Sequence, residues 1–169
     1  MSGASSITGV LPAGTSVLID TSVVLAYLTG TEAISPLAVE LFDRCLATGR
    51  NRGSISAVSV TELLVRPFRA GPSAVSTVEG FVRHFTDLRI EPVEYATARE
   101  AARIRAVAKL SAPDALIVAS HLVGETDVLV TNDGSWPDRL HGADLHTTVL
   151  VLGDLVPSTS SPRREPRDS

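Results

Sequence analysis

Short apolar segments with strand character alternate with longer helical patterns along nearly the whole chain, and no other feature limits the fold as strongly. The strand-like segments cover residues 16–19, 54–58, 89–93, 127–131 and 147–152. Between them the sequence predicts helices over 22–28, 36–48, 61–69, 73–88, 94–109 and 113–123. The clearest amphipathic period runs through Val75, Val78, Phe81, Val82 and Phe85. Gly30, Gly49, Gly71-Pro72 and Gly124 stand where helices should stop. Strands separated by helices join through crossovers, which makes the sheet mostly parallel and puts helices on both of its faces. The expected class is α/β. Ala, Val and Leu supply most of the apolar residues and aromatics are few, as suits buried parallel strands under helices.

A chain of 169 residues is long enough for one full core, and no internal repeat or second domain is evident. Residues 1–15 lack the basic start and long apolar stretch of a signal peptide, so a flexible leader is expected there. Residues 157–169, PSTSSPRREPRDS, hold almost nothing apolar and are expected to be disordered. The folded unit then spans 16–156. The single Cys45 excludes a disulfide framework and a multi-cysteine zinc site. Its neighbours Ala38, Leu41, Phe42 and Leu46 follow helical spacing, which assigns it to the core. A reducing cytoplasm fits, and no apolar run is long enough to span a bilayer. The net charge of −4 argues against a protein that coats nucleic acid. It does not argue against a nuclease, whose clustered carboxylates lower the total while Arg66, Arg69, Arg103, Arg105 and Lys109 remain to line a channel.

Four acids stand where a strand gives way to a helix or loop: Asp20 in VLIDTS, Glu62 in SAVSVTELLVR, Asp114 in LSAPDALIVAS and Asp133 in DVLVTNDGSW. Each has a local explanation. Asp20 suits the cap of the following helix, Ser59-Val60-Thr61-Glu62 reads as a capping box, and Ser111 with Asp114 is a weaker form of the same pattern. Pro113 fits a first helical turn, and Asp133-Gly134 is a turn context. Jointly they are harder to explain locally, because in a parallel sheet the carboxyl ends of the strands share one edge, where ligand sites collect. Four carboxylates brought together cannot all stay ionised without a cation, and oxygen-only coordination favours Mg²⁺ or Mn²⁺. A metal-dependent hydrolase is the leading expectation. Thr131 and Asn132, with Thr21 and Ser22, are placed to orient the carboxylates or bound water. Glu40, Asp43, Glu79, Asp87 and Glu100 read as solvated charge. His84, His121, His141 and His146 show no ligand spacing, and no nucleophile elbow, Walker loop or dinucleotide glycine motif occurs.

VLIDTSVVLAYL, SISAVSVTELLVR, LSAPDALIVASHLVGETDVLVTNDGSW and TTVLVL, taken in order, resemble the PIN-domain family, in particular its VapC-type toxins from bacterial toxin–antitoxin pairs. The resemblance runs from Ser16 to Leu152. It implies a three-layer α/β/α sandwich around a five-stranded, mostly parallel sheet, and Mg²⁺- or Mn²⁺-dependent cleavage of RNA. The family's four acids map onto Asp20, Glu62, Asp114 and Asp133, both as catalytic residues and as metal ligands, and its supporting hydroxyl residue onto Thr131. Trp136 stands where such proteins usually carry Phe. Ser135 occupies the place of a further acid found in some members, which argues for a lighter metal complement. Homodimerisation and inhibition by a cognate antitoxin are implied as well, with the helix at 36–48 as a candidate contact surface. Two rivals stay open: a non-catalytic PIN-like module that binds RNA or scaffolds a complex, and a phosphatase for small esters, which Ser22 in place of a second acid disfavours.

Overall fold

The computed structural model describes residues 6–157. Five parallel strands form one sheet: β1 (Ser16–Ile19), β2 (Arg52–Ser56), β3 (Leu88–Glu91), β4 (Val128–Thr131) and β5 (Thr148–Val151). Their order is β3-β2-β1-β4-β5, so β1 is central and the chain reverses direction of travel across the sheet beside it. The register pairs Leu18 of β1 with Ser54 of β2 and with Leu129 of β4. Successive strand side chains point to opposite faces, and each face has its own core. Val17, Ile19, Ile55 and Val130 meet α1 (Ile7–Val10), α2 (Thr21–Thr29), α3 (Ser35–Val39), α4 (Ala57–Ala70) and α5 (Pro72–His84) on one side. Leu18 and Leu129 meet α6 (Tyr95–Ala108), α7 (Ala112–Val123) and α8 (Trp136–Gly142) on the other. This is the expected three-layer α/β/α sandwich. Among the described residues, no single helix is long and apolar enough to cross a membrane.

Several local expectations are corrected. Residues 6–15, expected to belong to a flexible leader, are structured: Ile7 and Leu11 are fully buried. The Arg50 guanidinium donates to the carbonyls of Thr8 and Leu11, and the Asn51 amide donates to those of Pro12 and Thr15. Glu40, read as solvated charge, accepts from the backbone N–H groups of Ile7 (3.1 Å) and Thr8 (3.3 Å) and from the Ser6 hydroxyl. Burial raises the Glu40 carboxyl, but these hydrogen bonds outweigh it and hold the group below its usual range. Residues 1–5, and the expected tail beyond Pro157, lie outside the described residues.

The helix expected over 36–48 is α3 followed by a π-helical stretch, Glu40–Leu46. Its apolar side chains Leu37, Ala38, Leu41, Phe42, Cys45 and Leu46 belong to the core, while Val39 stays 41% exposed. Phe42 stacks on Tyr27 at 4.5 Å between ring centroids and meets Phe81 and Phe85 edge-on or tilted, which ties α5 to the same face. Leu46 crosses β2 so closely that a Cβ on Gly53 would sit 2.7 Å from its side chain. Strand β2 ends two residues earlier than expected because Ser56 caps α4, accepting from Val58 N. Val58 packs against the opposite core from a helix, not from a strand.

Candidate active site

The carboxyl edge of the sheet carries a cleft of about 420 Å³ lined by Asp20, Thr21, Ser22, Leu25, Glu62, Asp114, Asn132, Asp133 and Trp136. All four acids singled out from the sequence are therefore on one wall system, delivered by four different elements. Asp20 follows β1, Glu62 lies in the second turn of α4, Asp114 in the first turn of α7, and Asp133 two residues past β4. Central β1 and its neighbour β4 run side by side, and Asp20 extends the ladder by donating from its N–H to the Val130 carbonyl. That registration brings residues 20 and 131 together across 111 positions of sequence.

Each carboxylate is held by a neighbour of its own. Asp20, 6% exposed, occupies the cap position of α2, yet its side chain makes no capping bond. Its Oδ2 instead accepts from the hydroxyls of Ser22 (2.6 Å) and Thr131 (2.8 Å). Burial pushes its pKa up, and the charge of Asp114 adds to the rise, while the two hydroxyls pull it back. The Thr131 hydroxyl also accepts from Asp133 N at 3.0 Å, so one buried group positions two acids. Asn132 N donates to the Ser22 hydroxyl at 3.3 Å. Asp133 accepts from Ser135 N at 2.8 Å; hydrogen bonding from Ser135, helped by the positive Arg139, lowers its pKa. Asp114 accepts from the Ser111 hydroxyl at 2.6 Å while its N–H donates to the same oxygen, as expected of that helix start.

Glu62 is arranged differently from the sequence expectation. Helix α4 begins at Ala57, so Ser59 lies inside it and caps nothing. Glu62 Oε2 accepts from the Thr21 hydroxyl at 2.5 Å, and the fully buried Ser59 hydroxyl stands 2.9 Å from the same Thr21 oxygen. Ser59 is a supporting residue of the site that sequence reasoning missed. The spacing of Ser59 and Glu62 was visible, but it signals a shared helix face as well as it signals a cap.

Among the described residues, no three His, Cys, Asp or Glu side chains converge tightly enough to enclose an ion. The donors are nonetheless all oxygen and partly exposed. That fits Mg²⁺, which keeps several waters and takes one or two carboxylates directly. The buried Asp20, raised in pKa beside Asp114, is the kind of carboxylate that a bound cation relieves. A larger cavity of about 650 Å³ opens at the other edge of the sheet, beside His121, His141 and His146. His121 is buried there, with its ring nitrogens engaged by the hydroxyls of Thr126 (2.6 Å) and Thr147. Burial lowers its pKa to about 4, so it is a neutral structural group.

The fold is similar to several solved structures. VapBC2 from Rickettsia felis, bound to a DNA fragment from its promoter, superposes with a TM-score of 0.60 at 14% identity, covering 81% of this chain and 98% of that one. A toxin–antitoxin complex from Klebsiella pneumoniae gives 0.59 at 18% identity, with 80% and 97% covered. VapC20 of Mycobacterium tuberculosis, described as a sarcin–ricin loop cleaving toxin, gives 0.54 at 21% identity, with 67% and 86% covered. At these identities the likeness speaks for the fold alone. No curated protein matches the sequence. The PIN domain model matches residues 17–140, from the start of central β1 through the cleft acids to α8, and the chain belongs to the PIN-domain family.

Proposed function

We propose that this protein is a divalent-metal-dependent endoribonuclease, the toxin of a toxin–antitoxin pair. The observation that carries the reading is the convergence of Asp20, Glu62, Asp114 and Asp133 on one cleft at the carboxyl edge of the sheet. Support comes from the neighbours: one is described as a sarcin–ricin loop cleaving toxin and another as a toxin–antitoxin complex.

Asp20, Glu62, Asp114 and Asp133 would hold Mg²⁺, some of them through water; Mn²⁺ is the alternative. The bound metal supplies Lewis acidity toward a phosphate oxygen and lowers the pKa of coordinated water. The chain itself orients and excludes. Ser22 and Thr131 occupy Asp20 Oδ2, which leaves Oδ1 as the oxygen available to the cleft. Leu25 and Trp136 form its apolar side. Asp114, in the first turn of α7, is exposed enough to take the proton of an attacking water.

The partner reading follows from the surface. With the apolar face of the 36–48 helix in the core, Val65 (44% exposed) and Phe68 (68%) on α4 are the exposed apolar residues nearest in sequence to Glu62. Together with Arg66 and Arg69 they offer an antitoxin segment a footing beside the cleft. A homodimer and a cytoplasmic setting complete the proposal.

The test is cleavage of a mixed RNA pool by purified protein with Mg²⁺ or Mn²⁺, with EDTA and Asp20→Asn as controls. Cutting that both controls abolish is the expected result; cutting that survives Asp20→Asn would place the chemistry elsewhere. One observation favours a non-catalytic PIN-like binding module, namely the absence of a closed three-acid cage among the described residues. RNA binding with no divalent-dependent cleavage is the outcome that would select it.

A further inference from the structure

The Ser59-x-x-Glu62 spacing starts no helix, and its actual surroundings assign it a different task. Residues three apart on a helix share a face, and on α4 that face meets the first residue of α2. Thr21 is 6% exposed and Ser59 fully buried, whereas Glu62 is exposed. An exposed Glu has several free torsions, and the helix backbone of α4 restricts only the first of them. The selection comes from outside the helix. The Thr21 hydroxyl oxygen stands 2.5 Å from Glu62 Oε2 and 2.9 Å from Ser59 Oγ, so its single proton has two acceptors within reach. The carboxylate is the stronger and closer acceptor. Ser59 thus holds the Thr21 hydroxyl from its buried side, and Thr21 orients Glu62. Hydrogen bonds chained in this way polarise one another. Thr21 also follows Asp20 directly in the chain. One residue is therefore the chain neighbour of one cleft acid and the hydrogen-bond partner of another.

We propose that Thr21, backed by Ser59, is the positioning residue that fixes the Glu62 carboxylate relative to Asp20 and so sets the affinity of the cleft for a divalent cation. The inference rests on the metal-site reading above, but it can fail independently of it. Groups that orient ligating carboxylates change metal affinity by roughly 10–100-fold when removed.

The experiment uses full-length protein without RNA. Mn²⁺ binding is measured by calorimetry for wild type, Thr21→Val, Thr21→Ser, Ser59→Ala and Asp20→Asn, and the Glu62 side-chain rotamer is followed by three-bond couplings in metal-free protein. Thr21→Val is expected to average the Glu62 couplings and weaken Mn²⁺ binding by roughly 10–100-fold. Thr21→Ser, which keeps the hydroxyl, should restore both readouts, and Ser59→Ala should fall between. If Thr21→Val binds Mn²⁺ like wild type while Asp20→Asn does not, or if Glu62 keeps one rotamer in Thr21→Val, the positioning role is overturned. Absent wild-type Mn²⁺ binding would overturn both the metal-site reading and the affinity role assigned to Thr21, leaving only the tether to be upheld by collapsed couplings. Should Thr21→Val misfold, Thr21→Ser and Ser59→Ala carry the same comparison.

Discussion

Asp20 serves two opposed demands. Burial, with the nearby charge of Asp114, raises its pKa in the folded state. The native protein therefore takes up a proton at Asp20 more readily than the unfolded chain does. It follows that the ionised carboxylate costs stability at neutral pH, and that this cost disappears as pH falls through the folded pKa. Asp20→Asn keeps an oxygen to accept from Ser22 and Thr131 while removing the charge. We expect it to raise the melting temperature in metal-free buffer near pH 7 and to lower RNA cleavage by orders of magnitude. A lower melting temperature for the variant would contradict the electrostatic account. His121 carries the opposite sign for a different reason: burial drops its pKa from 6.5 to about 4. Its contribution is fully present above 6.5 and is lost as pH falls towards 4, and that interval is worth about 3 kcal/mol. Urea titrations at successive pH values should show stability declining through this window. His121→Gln should flatten that decline, although the variant starts from a lower stability because the two threonine hydroxyls lose the ring's fit.

At the level of elements, what could be read from sequence follows from how local each signal is. The strands β1 and β4, helix α7 and the acids at their ends were legible because apolar runs and cap chemistry act over a few residues. The start of α4 was not. Two serines three apart, Ser56 and Ser59, compete for the cap, and the Glu three past the second made it the better local match. Only the sheet decides: Ser56 is the last residue of β2, and its oxygen both caps the helix and receives the Ser120 hydroxyl at 2.9 Å. Helix α1, with four residues, and α8, with seven, are too short to announce themselves, since isolated helices of that length are marginal. Ile7, Trp136 and Leu140 hold them by burial against distant elements. The Glu40 contacts to residues 6–8 were illegible for the same reason, being 32 to 34 positions apart. This gives a discriminating pair of substitutions. Ser56→Ala should cost about 1 kcal/mol or more, the typical loss of a cap, and leave Mn²⁺ binding near wild type. Ser59→Ala should do the reverse, weakening metal binding more than stability. Denaturant midpoints and calorimetry on the two proteins decide which serine begins the helix and which serves the cleft.

For the molecule as a whole, a net charge of −4 and an acidic cleft pose a problem for a protein proposed to hold a polyanion. RNA phosphates approaching Asp20, Glu62, Asp114 and Asp133 would be repelled unless cations intervene, and no Lys or Arg lines the cleft among the described residues. A divalent ion resolves this and also relieves the folding cost of Asp20, so binding and stability are linked by mass action. At a hundredfold excess over its dissociation constant, a ligand specific for the native state adds about 2.7 kcal/mol. For a domain of this size that corresponds to a melting shift of roughly 5–10 °C. The order of stabilities should therefore invert. Without metal, Asp20→Asn melts above wild type; with saturating Mg²⁺, wild type gains most and the variant gains little, because its most buried ligand has lost its charge. KCl at matched ionic strength should produce no such inversion, since screening acts on exposed charges and leaves a buried carboxylate nearly untouched. Parallel rises in both proteins, or equal rises with KCl, would show that the cleft acids do not hold the ion. A wild-type shift confined to divalent cations would tie the acids, the metal and the marginal stability of Asp20 into one equilibrium.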